Sequence, residues 1–135
     1  MAEHGTIRIP DEEYKQRVQR AAKILQREGL DALIVNSNEA DYANARYFSG
    51  FWPLFERCGV AISPAGDAAL MVGPESREFG ADRCKLDKVF VLKAYREGAD
   101  PAYPELQADT YQDVFNALGI KGKKLRIGVA SYLDT

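Results

Sequence analysis

The sequence predicts an α/β fold, with a mixed, mostly parallel sheet of about five strands, one antiparallel hairpin, and helices on both faces. Two observations predict it. Segments with helical spacing of apolar residues alternate with short apolar runs, in the order α-β-α-β-β-α-β-α-β. The turn at 64–67, Pro-Ala-Gly-Asp, is too short for a crossover, so the two strands that it joins must pair antiparallel.

The first helix is predicted to begin at the acidic segment 11–13. Asp11 can accept hydrogen bonds from the free backbone N–H groups there, and negative charge suits the N-terminal end of the helix dipole. Gly29 is placed to end this helix. Residues 1–10 are therefore predicted to be a tail and residues 11–135 one domain. The predicted buried face of the helix consists of Tyr14, Val18, Ala21, Ala22 and Leu25.

The other elements follow from short apolar runs and the turn residues between them. Residues 30–35 form an almost continuous apolar run, which is typical of a strand covered on both faces. Asn36-Ser37-Asn38 then supplies capping groups for a second helix over about 39–48. Beyond it, the predicted elements are hairpin strands over 59–63 and 68–72, a short helix from Gly73 toward Cys84, a strand over 88–92, a loop over 96–107, a helix over 111–118 and a last strand over 125–129.

Composition and charge disfavour several classes of protein. A net charge of −2 over 135 residues gives no basic field for a nucleic acid, and no apolar run is long enough to cross a bilayer. With no export signal and only two cysteines, Cys58 and Cys84, the chain is expected in the cytoplasm, with free thiols that pack as small apolar groups. Because the chain stops soon after a predicted strand, we expect it to be cut at a domain boundary.

The sequence predicts neither a catalytic residue nor a metal ligand in this chain. Its one histidine is His4 in the predicted tail, and its two cysteines are isolated, so neither a metal site nor a nucleophile with a nearby base is indicated. The lysine-rich segment 119–124 connects a helix to a strand, which is the wrong place for a phosphate loop. A receiver-like or flavin-binding enzyme is disfavoured because Asp31 precedes its strand.

The segment 44–59, NARYFSGFWPLFERCG, combines aromatic and arginine side chains with turn residues. Tyr47 and Phe48 close the second helix and are predicted to pack inward. The connection that follows is too short to bury all four of its large apolar side chains, so at least two should be exposed, which is typical of an interface or ligand contact. An unusual core loop remains the alternative. The four side chains are Phe51, Trp52, Leu54 and Phe55.

Three stretches carry a resemblance to a known family. The strand 29-GLDALIV-35, the motif 44-NARYFSGF-51 before the hairpin, and the tail 124-KLRIGVAS-131 resemble the amino-terminal domain of the creatinase, prolidase and aminopeptidase P family. The resemblance runs from about Asp11 to Asp134 and implies that domain's ribonuclease H-like fold. It also implies a parent enzyme whose pita-bread catalytic domain, absent from this chain, binds two divalent metals (Mn²⁺, Co²⁺ or Zn²⁺). Such enzymes cleave bonds before proline or, in creatinase, hydrolyse creatine without metal.

The same resemblance implies a role for the segment after the motif. In several family members the amino-terminal domain pairs in a homodimer and lends this segment to the partner's active-site mouth; here it holds Trp52, Phe55, Glu56 and Arg57. Trp52 and Phe55 are expected to give apolar contacts, and Arg57, or alternatively Arg46, to meet a substrate carboxylate. The expected function is thus that of a non-catalytic amino-terminal domain of such a hydrolase. A free-standing α/β binding or regulatory module that has lost the catalytic half is the alternative.

Overall fold

A five-stranded sheet forms the centre of the structure, a computed structural model that describes residues 5–97 and 107–131. His4 and most of the loop predicted at 96–107 lie outside these ranges. The elements are α1 (Asp11–Glu28), β1 (Ala32–Ser37), α2 (Ala43–Ser49), β2 (Cys58–Ile62), β3 (Ala68–Val72), a 3-10 turn (Pro74–Ser76), α3 (Arg77–Arg83), β4 (Val89–Val91), a second 3-10 turn (Lys93–Tyr95), α4 (Tyr111–Ala117) and β5 (Ile127–Ala130).

The strands lie in the order β4-β3-β2-β1-β5. Strand β1 pairs parallel with β5 and antiparallel with β2, while β3 pairs antiparallel with β2 and parallel with β4. Strand β2 therefore runs against the other four, which confirms the predicted mixed, mostly parallel sheet with one hairpin. The hairpin itself lies within one residue of its predicted bounds.

Helices cover both faces of the sheet, as predicted. On one face, α1 and α2 pack on alternate residues of the strands, with Phe79 of α3 beside them. On the other face, α4 packs through Val114 and Phe115. The central strands are buried on both sides because each face has its own layer of helix; β2 is buried at every position. No helix in the part of the chain that the structure describes is long and apolar enough to span a membrane.

Two helix starts differ from their predictions. Helix α2 begins later than expected because Asn38 forms a turn, its Oδ1 accepting from the N–H groups of Ala40 and Asp41 at 2.9 and 2.7 Å. Ser37 does supply a capping group, its Oγ accepting from the Ala45 N–H in the first turn of α2 at 3.0 Å. At α1 the capping position is Pro10 with no side-chain hydrogen bond, so Asp11 lies in the first turn and acts only through its charge. Gly29 does end α1, as predicted.

Candidate functional site

The contact loop, residues 50–57, connects α2 to β2, and buried and exposed side chains are interspersed along it. Gly50 begins it with φ 73°, a backbone conformation that glycine adopts readily and other residues rarely do. The inward residues are Phe51, Pro53 and Glu56, and the outward residues are Trp52, Leu54, Phe55 and Arg57.

Three large apolar side chains of this loop are exposed, which confirms the prediction of at least two. The exposed fraction is 41% for Trp52, 59% for Leu54 and 44% for Phe55. Phe51 is fully buried and packs edge-on against Phe79 of α3, with 5.4 Å between ring centroids. One aromatic therefore anchors the loop in the core while its neighbours face solvent.

Arg46 lies against the exposed aromatic side chains. Its guanidinium carbon is 4.6 Å from the centre of the Trp52 ring and 5.9 Å from that of Tyr42. Both distances allow cation–π attraction. Stacking occupies the flat faces of a guanidinium, while its N–H donors are arranged around the edge. The pair thus presents the apolar Trp52 ring beside the edge of the Arg46 guanidinium. The N–H donors on that edge are suited to binding a carboxylate.

The four residues singled out from the sequence all lie at the surface, three of them on the contact loop and Arg46 on helix α2 just before it. Arg46 and Trp52 are in contact, and Phe55 and Arg57 are exposed further along the same loop. We call Arg46, Trp52, Leu54, Phe55 and Arg57 the contact surface.

The prediction that Tyr47 packs inward is wrong, whereas Phe48 does pack against the core. Tyr47 is 44% exposed, and α1 holds it with cations: the Arg17 guanidinium carbon lies 4.4 Å from the ring centre, and Arg17 Nη1 donates to the Tyr47 carbonyl at 2.8 Å. A stacked arginine covers one face of a ring and leaves the other in water, which is why an aromatic at this helix end need not be buried.

A small ionic network accompanies this contact. Glu13 accepts from Arg17 Nε at 3.1 Å and from Arg20 Nη2 at 3.2 Å. These hydrogen bonds, that of Arg17 first, lower the pKa of Glu13 below its ordinary value. Arg20 also approaches the Tyr47 hydroxyl, at 3.5 Å, and this contact raises its pKa. The network fixes the end of α2, from which the contact loop departs.

Glu56 also differs from its expectation. The resemblance groups it with side chains lent to a partner, but it is only 1% exposed. Its carboxylate accepts from the backbone N–H groups of Ser76 at 3.0 Å and Glu75 at 3.4 Å. One signal could have found it: the helical segment that starts at Gly73-Pro74 has no capping side chain of its own, so a carboxylate from elsewhere in the chain can cap it.

A second polar cluster lies where β1 ends, on the opposite face of the sheet. The Tyr95 hydroxyl donates to Asn36 Oδ1 at 2.8 Å and lies 3.0 Å from the Tyr111 hydroxyl. Burial, followed by the hydrogen bond with Tyr111, raises the pKa of Tyr95. A buried phenol of raised pKa stays protonated, so the cluster ties α4 to β1 as a neutral hydrogen-bond network.

Over residues 5–97 and 107–131, no group of three or more His, Cys, Asp or Glu side chains is arranged to hold a metal ion. The two thiols do not form a disulfide; Cys58 is buried and Cys84 partly so. What this part of the chain offers is a surface of aromatic and cationic side chains on a rigid sheet.

Comparison with known families decides what kind of domain this is. Residues 17–135 match the profile of the Creatinase/Prolidase N-terminal domain. The chain belongs to that family. The resemblance seen in the sequence is therefore confirmed. A search of curated proteins finds no match.

Solved structures of Creatinase/Prolidase N-terminal domains share the fold. The prolidase from Pyrococcus horikoshii OT3 is similar over 88% of this chain, with 21% identity and a TM-score of 0.56, and the chain spans 27% of that protein. The N-terminal domain of cytoplasmic peptidase PepQ from Mycobacterium tuberculosis H37Rv shares 21% identity over 86% of this chain and 93% of its own, with a TM-score of 0.53. The corresponding domain of a putative metallopeptidase from Corynebacterium diphtheriae shares 13% identity over 88% of this chain and 95% of its own, with a TM-score of 0.52.

Proposed function

We propose that this chain is the non-catalytic N-terminal domain of a creatinase/prolidase-like hydrolase. Its contact surface forms homodimer contacts and shapes substrate access to a metal-dependent active site. That site lies in the C-terminal catalytic domain of the parent protein and is built from residues outside this chain. The observation that carries the proposal is the exposure of Trp52, Leu54 and Phe55 on a loop anchored in the core.

The exposed side chains support contact with another protein for an energetic reason. Apolar area in water is unfavourable by about 25 cal/mol per Å², so an exposed aromatic group is stabilised when a partner covers it. Tryptophan and arginine are also enriched among the residues that dominate binding energy at interfaces. The contact surface has both in direct contact, which is the composition expected of the centre of an interface.

Arg46 is proposed to meet the carboxylate of a peptide substrate, with Arg57 as the second cation of the surface. A guanidinium binds a carboxylate through two parallel hydrogen bonds along one edge. Stacking on Trp52 restricts the plane of the Arg46 guanidinium, so less side-chain entropy is lost when a carboxylate binds.

The parent enzyme is proposed to bind two divalent metals, Mn²⁺, Co²⁺ or Zn²⁺, in the C-terminal domain and to act on Xaa-Pro peptides in the cytoplasm. Similar structures include an X-Pro aminopeptidase from Thermotoga maritima MSB8 and a cytoplasmic peptidase from Mycobacterium tuberculosis H37Rv. For this chain, their similarity supports the peptidase branch of the family over the creatinase branch.

The single tryptophan of the chain tests the proposal directly. If Trp52 enters a homodimer interface, its emission should shift to longer wavelength on dilution, as the interface opens to water. Phe55→Ala should move this transition to higher protein concentration, whereas Val129→Ala, which truncates a more exposed apolar side chain on strand β5, should leave it in place. Trp52 emission that does not change over the whole accessible concentration range would contradict the dimer contact.

A further inference from the structure

The contact loop contains a buried charge among exposed aromatic side chains, the reverse of the usual arrangement. Glu56 is 1% exposed, although Phe55 and Arg57 on either side of it are exposed. A buried carboxylate is strongly unfavourable unless hydrogen bonds compensate it. Its burial therefore needs a specific reason, which its partners supply.

Those partners are two N–H groups at the start of the next helical segment, of which that of Ser76 also donates to the Gly73 carbonyl at 3.1 Å. The segment starts at Pro74, which has no N–H, and the residue before it is Gly73, which has no side chain to cap it. The N–H groups of Glu75 and Ser76 both donate to the Glu56 carboxylate. Glu56 thus serves as the capping side chain of this segment from 17 residues before Gly73, across the whole β2–β3 hairpin.

Gly73 leaves space for the same carboxylate because it has no side chain. A Cβ atom at this position would overlap the Glu56 carboxylate carbon and both of its oxygens. The φ angle of Gly73 is −78°, a conformation open to any residue, so glycine is required here for space and not for backbone freedom. Gly73 and Glu56 are therefore coupled, because the absence of a side chain at Gly73 leaves space for the Glu56 carboxylate.

The contact loop is held at two residues, Phe51 and Glu56, and both contact one helical segment, Pro74–Arg83. Phe51 packs on Phe79 within α3, and Glu56 binds the N–H groups at the start of the segment. The residues between the anchors include Trp52, Leu54 and Phe55. A loop held at two points loses less conformational entropy when a partner covers it.

We propose that Glu56 is a positioning residue that holds the contact surface in its binding conformation, with Gly73 as its required neighbour. The proposal rests on the proposed function only in calling this surface a binding surface. We call the contacts of Glu56 with the start of the helical segment and with Gly73 the clamp, and these contacts are seen in the structure. The Glu56 carboxylate lies in this aromatic loop because its hydrogen bonds hold the loop in place.

Trp52 emission reports on the clamp before any partner is involved. In Glu56→Gln, and more so in Glu56→Ala, we expect emission at longer wavelength and a larger acrylamide quenching constant in the folded, monomeric protein. Val114→Ala, in the core of the opposite face, should lower the urea midpoint and leave Trp52 emission unchanged. Glu56 variants that unfold earlier in urea but keep the wild-type emission and quenching would overturn the proposal, since Glu56 would then act on stability alone.

The coupling between Glu56 and Gly73 gives a second test, which compares the effect of Gly73→Ala in two backgrounds instead of relying on one variant. Gly73→Ala alone should displace the carboxylate, lower the urea midpoint and shift Trp52 emission as the Glu56 variants do. In the Glu56→Ala background the added methyl group has space, so Gly73→Ala should cause no further loss. Equal losses in the two backgrounds would contradict the coupling.

Failure of the clamp and failure of the contact role are distinguishable. If the Glu56 and Gly73 variants behave as expected while dilution leaves Trp52 emission unchanged, the clamp stands and the homodimer contact fails. If dilution shifts the emission and the Glu56 variants keep wild-type emission, the contact role stands and the clamp fails.

Discussion

At the scale of single residues, the structure joins Arg46 and Trp52 into one unit. The ring covers the flat face of the guanidinium, and both side chains remain reachable from solvent. The sequence predicted that at least two of the four large side chains of the contact loop are exposed, because a short connection cannot bury them all, and Trp52 is one of the three that are. It did not predict the burial of Glu56, because side-chain polarity alone assigns a carboxylate to the surface and only the capless helix start demands it inside.

Arg46→Ala should remove the stacking partner of Trp52. We expect a change in Trp52 emission and a loss of about 0.5–1 kcal/mol in the free energy of unfolding, the range for exposed cation–π pairs. Urea unfolding followed by far-UV circular dichroism measures the loss. Arg46→Lys keeps the charge without the flat group and should recover only part of it; a Trp52 emission unaffected by Arg46→Ala would show that the stack is not populated.

The two thiols should be unreactive in the folded protein. Burial raises the pKa of Cys58 to about 12 and that of Cys84 to about 11, from an ordinary value of 9.0. At pH 8 both stay protonated, so a disulfide reagent should label them slowly until urea is added. Fast labelling of Cys58 in the native state would contradict its burial.

The same pKa shifts predict alkaline destabilisation. Above pH 9.0 the unfolded thiols lose protons that the folded ones retain up to about 12 and about 11, so stability present below pH 9.0 is lost as the pH rises through that window. The raised pKa of Tyr95 acts in the same direction. Cys58→Ala should reduce the slope of unfolding free energy against pH in this range, a slope that urea titrations at several pH values measure.

At the scale of elements, apolar spacing predicted helix α1 and a short turn predicted the hairpin, whereas the start of α2 was displaced. Helix α1 follows its apolar spacing over the full length, and the β2–β3 hairpin follows from the short turn between its strands. Helix α2 starts late because Asn38 hydrogen-bonds to the backbone of its own turn, a choice that apolar spacing does not reveal.

Helix α4 offers a clean test at this scale, because its start carries a capping box. Thr110 accepts from the Asp113 N–H at 3.2 Å, and the Asp113 carboxylate accepts from the Thr110 N–H at 2.8 Å. Thr110→Ala should cost about 0.5–2 kcal/mol in the free energy of unfolding, measured with urea. Thr110→Ser keeps the hydroxyl and should retain most of that stability; equal losses in the two variants would show that the cap contributes nothing.

At the scale of the whole molecule, the sheet order could not be predicted from the sequence. The hairpin fixes β2 beside β3, but nothing local places β5 beside β1. That pairing joins segments 95 residues apart, where the Arg126 N–H donates to the Asp31 carboxylate at 2.7 Å and the Asp31 N–H to the Arg126 carbonyl at 2.8 Å. Long-range pairing of this kind is decided by tertiary packing, which a single sequence does not disclose.

The central claim is that the domain acts through the contact surface and not through a reactive centre of its own. Sedimentation equilibrium of the wild type, the Trp52→Ala/Phe55→Ala double variant and the Val129→Ala control tests it most directly. We predict a homodimer whose dissociation constant rises about tenfold or more in the double variant, as expected for central aromatic side chains, and is unchanged in the control. Equal dissociation constants for all three proteins, or a wild type that stays monomeric throughout, would contradict the account.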